Sequence, residues 1–380
     1  MRFVRGLCRV LFALTFILSG VLKLLDPVGT GLIVKEYLDF MSLGFLENAA
    51  VGLGVALATA EFTIGISLLD GLRLKIMVWP ALLLTAVFTA LTLYLVLYNP
   101  ISDCGCFGEA IHLTNTQTFI KNVILFVLVL VIFLTRDRAT QVAPAWLEWT
   151  FIGAFALLAL TIALRALATI PQVDFTAYRV GNSLDELARE NEARYETTFL
   201  YSKDGHVEEF TLDNLPDDTW TYLDSKTVQV GGSTRMAQVD FTLEQMEGPV
   251  LAVTVHHPDA LKPAQQTRIE HFCLKAGLQG QDVVQYGPSG DYSPADWKSL
   301  LTLNRSNGGA VYFNDGMVIA KWANSELPGV DLATVLAEDP DVLVLQQRMR
   351  EQRYITALVV GVLVLLVLLR VLCRLLIKNR

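Results

Sequence analysis

Six stretches of the chain are apolar over lengths that a bilayer helix requires, roughly 20 residues for a hydrocarbon core of about 30 Å. They are residues 7–25, 49–69, 75–98, 119–135, 147–168 and 354–377. The first run continues into "KLLDP" (23–27) with no small-residue cleavage site, so it reads as a retained helix rather than a signal peptide. Residues 171–353 have a different pattern. After the Pro-containing linker "IPQVDFTAYRVG", short alternating runs are separated by turn residues. "ETTFLYSKDGHVEEFTL" predicts two strands around a "KDG" turn. "QVDFTLE", "PVLAVTVHH" and "DVVQYG" predict strands, and residues 262–276, 294–303 and 330–337 predict helices. "GAVYFNDGMVIAKW" predicts a hairpin with a tight "NDG" turn.

Charge sharpens this division. Residues 171–353 hold 28 acidic and 15 basic side chains, a net of −13, whereas the rest of the chain is at +5. Such an acidic segment argues against nucleic acid and against close contact with anionic lipid. Basic residues flank the apolar runs on alternate sides: Arg2, Arg5 and Arg9; Arg73 and Lys75; Arg136 and Arg138; Arg370, Arg374, Lys378 and Arg380. The positive-inside rule puts these segments, and both termini, in the cytoplasm. Residues 99–118 contain no Lys or Arg, so they and residues 171–353 belong on the outer, periplasmic face of an inner membrane.

The outer loop contains "DCGCFGE" (103–109), with two of the chain's five cysteines one residue apart. The Cα atoms of residues i and i+2 lie about 5–7 Å apart, and a disulfide wants about 4.4–6.8 Å, so a ring closes only if the chain bends at Gly105. Such a strained disulfide would be labile and exchangeable. A structural pair, a pair of reduced thiols in a turn, and a metal site are the alternatives. The last is short of ligands, with only Asp103, Glu109 and His112 nearby, and no metal is expected. Asp103 and Glu109 should disfavour thiolate, so a counter-charge such as Lys23 or Lys121 is needed. His112 is a candidate proton shuttle.

Within the apolar runs, Glu61 is an ionisable residue near the bilayer centre, either functional or a hydrogen-bonded structural carboxyl. Lys23 and Asp26, three apart, can pair with each other. Gly52, Ala56 and Ala60 form a small-residue stripe that predicts close helix packing. Pro80 should kink or start its helix, and Arg165 should snorkel.

"SGVLKLLDP" (19–27), Glu61 and "DCGCFG" (103–108) together resemble the DoxX-like superfamily, and within it the redox-associated membrane proteins grouped with methylamine-utilisation protein MauE. The resemblance covers about residues 3–135. It implies a four-helix bundle over residues 1–140 and a role in making or maintaining disulfides, or in passing electrons to a quinone. Cys104 and Cys106 would then carry the chemistry with Glu61 and His112. Lys23, Asp26, Asp103, Gly105, Phe107, Gly108 and Glu109 would support them. Residues 141–170 add a fifth membrane helix and 354–377 a sixth. Residues 171–237 are a linker and β-hairpin region, and 238–345 resemble a thioredoxin-like domain. That domain has "HHPDALK" where a cysteine pair would stand, and Cys273 reads as a buried small hydrophobe. The fold class is thus an α-helical membrane protein with an extracytoplasmic α/β thioredoxin-like domain. Its partners are membrane lipid and a periplasmic or envelope protein. No cofactor is evident beyond the quinone that the resemblance implies. The competing reading is a non-enzymatic scaffold or assembly factor whose outer domain recruits that partner.

Overall fold

The structure, a computed structural model, describes residues 2–98, 104–138, 142–184, 187, 195–203, 206–211, 215–216, 219–229 and 248–378. Asp103 and the strand expected at 238–244 lie outside them. The chain divides into two compact units: Met1–Thr176 with Trp322–Glu326 and Asp341–Arg380, and Ala177–Lys321 with Leu327–Pro340.

The first unit is helical. In chain order it contains α1 (Arg2–Leu25), α2 (Pro27–Phe40), α3 (Ala50–Asp70), α4 (Leu74–Tyr98), α5 (Asn115–Leu134) and α6 (Ala145–Ala168), and α10 (Pro340–Lys378) returns to it. Among the described residues six helices are long and apolar enough to cross a membrane, and each overlaps one of the six stretches expected. The last is longer than its apolar run, a continuous helix of 39 residues. α5 starts four residues before its apolar run because Thr114 and Gln117 form a reciprocal capping box. α3 stops at Gly71, whose φ of 83° is the left-handed cap conformation that glycine takes most easily. Pro80 lies inside α4.

Helices in lipid gain little from apolar contact alone, so close backbone approach and polar bonds decide the packing. α1 and α3 belong to both buried clusters. One joins Leu24, Phe62, Ile66, Phe155 and Ile162 to Leu369 of α10. The other joins Phe12, Phe16, Ile64, Val78 and Val129. A Cβ added at Gly20 would lie 2.7 Å from the Phe62 nitrogen, and one at Gly65 would lie 2.9 Å from the Ile17 nitrogen. The contact face of α3 is therefore Gly54–Ala58–Gly65. The expected stripe fails: Gly52 and Ala56 are exposed, and nothing lies within 4 Å of a Cβ at Gly52. It is offset two residues from the contact face, which at 100° per residue is the opposite side of the helix.

Polar bonds reinforce the bundle. Asn122 of α5 donates to Thr92 Oγ1 of α4 at 3.2 Å. Buried Glu148 accepts from the backbone nitrogens of Val142, Ala143 and Arg73 at 3.0, 3.1 and 3.3 Å, tying the α3–α4 turn to the start of α6. Arg370 of α10 pairs with Asp70 at 3.0 Å. Aromatic groups mark two levels: Phe40, Tyr94 and Tyr98 meet near one end of α4, and Trp79, under Arg136, lies towards the other. Arg165 sits 5.7 Å from the Tyr354 ring.

The unexpected element is α2, between the first two spans. Asp26 caps it, accepting from the Gly29 nitrogen at 2.9 Å, and Pro27 occupies its first turn, where no amide hydrogen is needed.

The second unit holds two sheets. β1 (Tyr195–Lys203) pairs antiparallel with β2 (His206–Thr211), as the hairpin pattern predicts, and also with β3 (Thr221–Gln229), which it does not. The other sheet has the order β6-β5-β4-β7-β8, with β4 (Pro249–Thr254), β5 (Val283–Gly287), β6 (Ser293–Pro294), β7 (Gly309–Asn314) and β8 (Met317–Trp322). β4 runs parallel to β5 and antiparallel to β7. Among the described residues the unit's longer helices are α7 (Pro263–Leu278), α8 (Trp297–Leu303) and α9 (Leu332–Ala337). Asp315 and Gly316, with φ of 47° and 71°, make the tight turn between β7 and β8.

Candidate functional site

α1 places Ser19 and Lys23 one turn apart on the same face. Both meet Glu61 of α3. Lys23 Nζ lies 2.8 and 2.9 Å from the two carboxylate oxygens, and Ser19 Oγ lies 2.7 Å from Oε2. All three side chains are buried; Glu61 is 3% exposed. The expected Lys23–Asp26 pair is not formed. Lys23 instead joins Glu61, a carboxylate on the neighbouring helix, and Asp26 accepts from the Gly29 nitrogen at the start of α2.

The C-G-C loop lies against this cluster. Ser19 Oγ is 2.6 Å from the Cys106 carbonyl oxygen, and Tyr37 of α2 donates to the Cys104 carbonyl at 3.1 Å. Gly105 and Gly108 take φ of 64° and 62°, and Gly108 closes a turn by donating to Gly105 O at 3.0 Å. The glycine at 105 is required twice over: a Cβ there would lie 2.5 Å from Ile33 Cγ2 of α2. Phe107 is buried, with the Lys121 ammonium 4.7 Å from its ring centre. α2 therefore presses the loop onto the bundle through Ile33 and Tyr37.

The two sulfurs are 3.1 Å apart, free of a bond and within reach of one another. They are not equivalent. The Cys106 thiol is lowered to about 6, first because Cys104 donates a hydrogen bond to its thiolate and then because Lys121 and Lys23 supply positive charge; together these outweigh burial. Cys104 moves up, because its proton is held in that bond and because it is buried beside the Cys106 charge; Tyr37 and Lys121 oppose the shift. As residues, Cys106 is half-buried and Cys104 is buried. The positive charge that the acidic loop was expected to need comes from Lys121 and Lys23, which both favour the Cys106 thiolate. His112 is exposed on the same loop.

Sequence reading missed Ser19 and Tyr37. Ser19 was detectable: "SGVLK" spaces it four residues from Lys23, one face of a helix. Tyr37 was not, because it depends on a helix too short to register as a span.

In the other unit, His256 and His257 follow β4, and their Nδ1 atoms are 2.8 Å apart. His256 is lowered to about 3 by burial, then by His257 and Arg305, and its buried Nε2 has no hydrogen-bond partner among the described residues. Burial raises the Cys273 thiol. Among the described residues no group of three or more His, Cys, Asp or Glu is placed to hold a metal ion.

Residues 1–135, α1 to α5, match the family described as Methylamine utilisation protein MauE. Residues 195–231 match a domain of unknown function. Protein TlpB of Flavobacterium psychrophilum is 33% identical over 137 residues, 34% of this chain and 37% of that protein. The chain thus spans little more than a third of this curated relative. No solved structure matches the chain. The MauE-family region holds every residue of the cysteine site, and with the long apolar helices it marks a multi-pass membrane protein.

Proposed function

We propose that this chain is a redox-associated protein of the inner membrane that exchanges thiols and disulfides at the periplasmic face through Cys104 and Cys106. The observation that carries this reading is two sulfurs 3.1 Å apart in one loop held against the buried Lys23–Glu61 pair, with neighbouring positive charge favouring thiolate at Cys106 and the other thiol in contact with it. That is the division of labour exchange requires. A thiolate attacks a partner's disulfide, and a second thiol then displaces the partner. The lysines supply the counter-charge that the acidic loop lacks, and the buried Lys23–Glu61 pair holds one of them in place.

The absence of Lys and Arg from residues 99–118 supports the placement on the outer face, with both termini cytoplasmic. An open apolar groove of about 450 Å³ on the surface of α1 and α5 is lined by Leu11, Thr15, Ile120, Lys121, Ile124 and Leu128. It shares Lys121 with the cysteine site, which favours a lipid-soluble electron carrier such as a quinone as the group that resets the pair. The strand order of the larger sheet in the second unit supports a thioredoxin-like reading of about residues 238–345, with a histidine pair in place of cysteines; its role is to recruit an envelope partner.

Exchange is tested by mixing the reduced full chain in detergent with a disulfide-bonded peptide and following peptide reduction. Loss of exchange in Cys106→Ser, with the chain folded, supports the reading. Exchange at the wild-type rate in Cys104→Ser/Cys106→Ser would favour a scaffold instead.

A further inference from the structure

Tyr37 reaches the site from α2 and is half-buried. Its hydroxyl donates to the Cys104 carbonyl oxygen at 3.1 Å, and from there it lies close enough to the Cys104 sulfur to favour that thiolate. A phenol has one proton to donate. In the resting dithiol the carbonyl takes it. When Cys104 must become a thiolate, the charged sulfur is the stronger acceptor. Cys106 has no such need, since Cys104, Lys121 and Lys23 already favour its thiolate. Cys104 is the sulfur that lacks help, and Tyr37 is the donor set against it.

Resting on the exchange reading above, we propose that Tyr37 is the catalytic hydroxyl of the resolving step, donating to Cys104 as it attacks the mixed disulfide on Cys106. The chemistry balances as follows. Cys106 thiolate attacks a partner disulfide RS–SR, forming Cys106–S–SR and releasing RS⁻. Cys104 then attacks Cys106 Sγ; the Cys104–Cys106 disulfide forms, and the second RS⁻ leaves with the Cys104 proton. The pair is oxidised by two electrons, and the partner's disulfide is reduced to one thiolate and one thiol. Tyr37 keeps its own proton and moves its hydrogen bond from the carbonyl to the sulfur.

A hydrogen bond to a charged group changes the thiolate population by about ten- to a hundred-fold. The thiolate it stabilises is also a weaker nucleophile, which returns about half of that gain on a logarithmic scale. The expected net effect is therefore about three- to ten-fold on the resolving step and little on the first.

The test uses the reduced full chain in detergent and the aromatic disulfide dithionitrobenzoate as probe. Mass spectrometry of the peptide containing residues 104 and 106, at timed intervals, separates the Cys106–probe adduct from the Cys104–Cys106 disulfide. In Tyr37→Phe the adduct should form within about two-fold of the wild-type rate and then accumulate, resolving about three- to ten-fold more slowly with its pH profile displaced upward. Cys104→Ser marks complete arrest, and Tyr94→Phe on α4 should match wild type. Wild-type resolution in Tyr37→Phe overturns the proposal, and so does an equal slowing of both phases. If no adduct forms even on wild type, the exchange reading falls, and Tyr37's role falls with it.

Discussion

Cys106 and Cys273 are the same side chain in two surroundings. Cys106 lies beside a second sulfur and two ammonium groups, and its thiol is lowered to about 6. Cys273 lies on α7 with Gln285 Nε2 at 3.7 Å, and burial pushes its thiol up. Both are only partly exposed, so access does not separate them. Neighbouring charge does. The helical unit places Lys23, Glu61 and Ser19, all buried, beneath one short loop, whereas the α/β unit surrounds its lone cysteine with no comparable cluster among the described residues.

The largest expected effect comes from breaking the buried pair. Lys23→Met leaves the Glu61 carboxylate without its counter-charge, at an expected cost of about 3–5 kcal/mol, read as a lower unfolding midpoint in detergent. Lys23→Met/Glu61→Leu should recover most of that loss. A single variant as stable as wild type would remove the pair from the account. Next is Gly105→Ala, where the new Cβ meets Ile33 and the backbone holds a positive φ. The expected cost is about 1–3 kcal/mol, partly relieved by Ile33→Ala; full stability in the single variant would show that α2 does not press on the loop.

A smaller effect concerns pH. The thiolate is the deprotonated form, so alkylation of Cys106 should rise through about pH 6 and level off above it, while Cys273 should still be gaining reactivity in alkaline solution. Lys121→Met removes a positive charge and should move the Cys106 midpoint upward. Parallel profiles for the two cysteines would erase the contrast. The smallest effect is at Cys273 itself: Cys273→Ser should leave exchange with a disulfide peptide unchanged, and a measurable loss would move part of the chemistry into the α/β unit.

Much of the frame could be read from the chain alone, because a membrane helix announces itself through twenty apolar residues and a tight hairpin through "NDG". α2 gave no such signal. It is short, contains Gly29 and Gly31, and depends on the Asp26–Pro27 start and on packing against α3. The Lys23–Glu61 pair was illegible for another reason: its members are 38 positions apart, on helices whose relative rotation is set by Gly20 and Gly65. Lys23 looked to its nearest acid in sequence, Asp26, which the α2 cap had already engaged. The cysteines and the need for a lysine could be read from the motif. Their inequality could not, since it arises from one sulfur facing α2 and the other facing two ammonium groups.

The central claim is that Cys104 and Cys106 cycle between dithiol and disulfide while Cys273 does not. Rapid acid trapping of thiols in intact cells, followed by differential alkylation and mass spectrometry of both peptides, measures this directly. The oxidised fraction of the pair should move when cells are shifted between reducing and oxidising conditions, with Cys273 unchanged. A pair held in one state under both conditions would contradict the account.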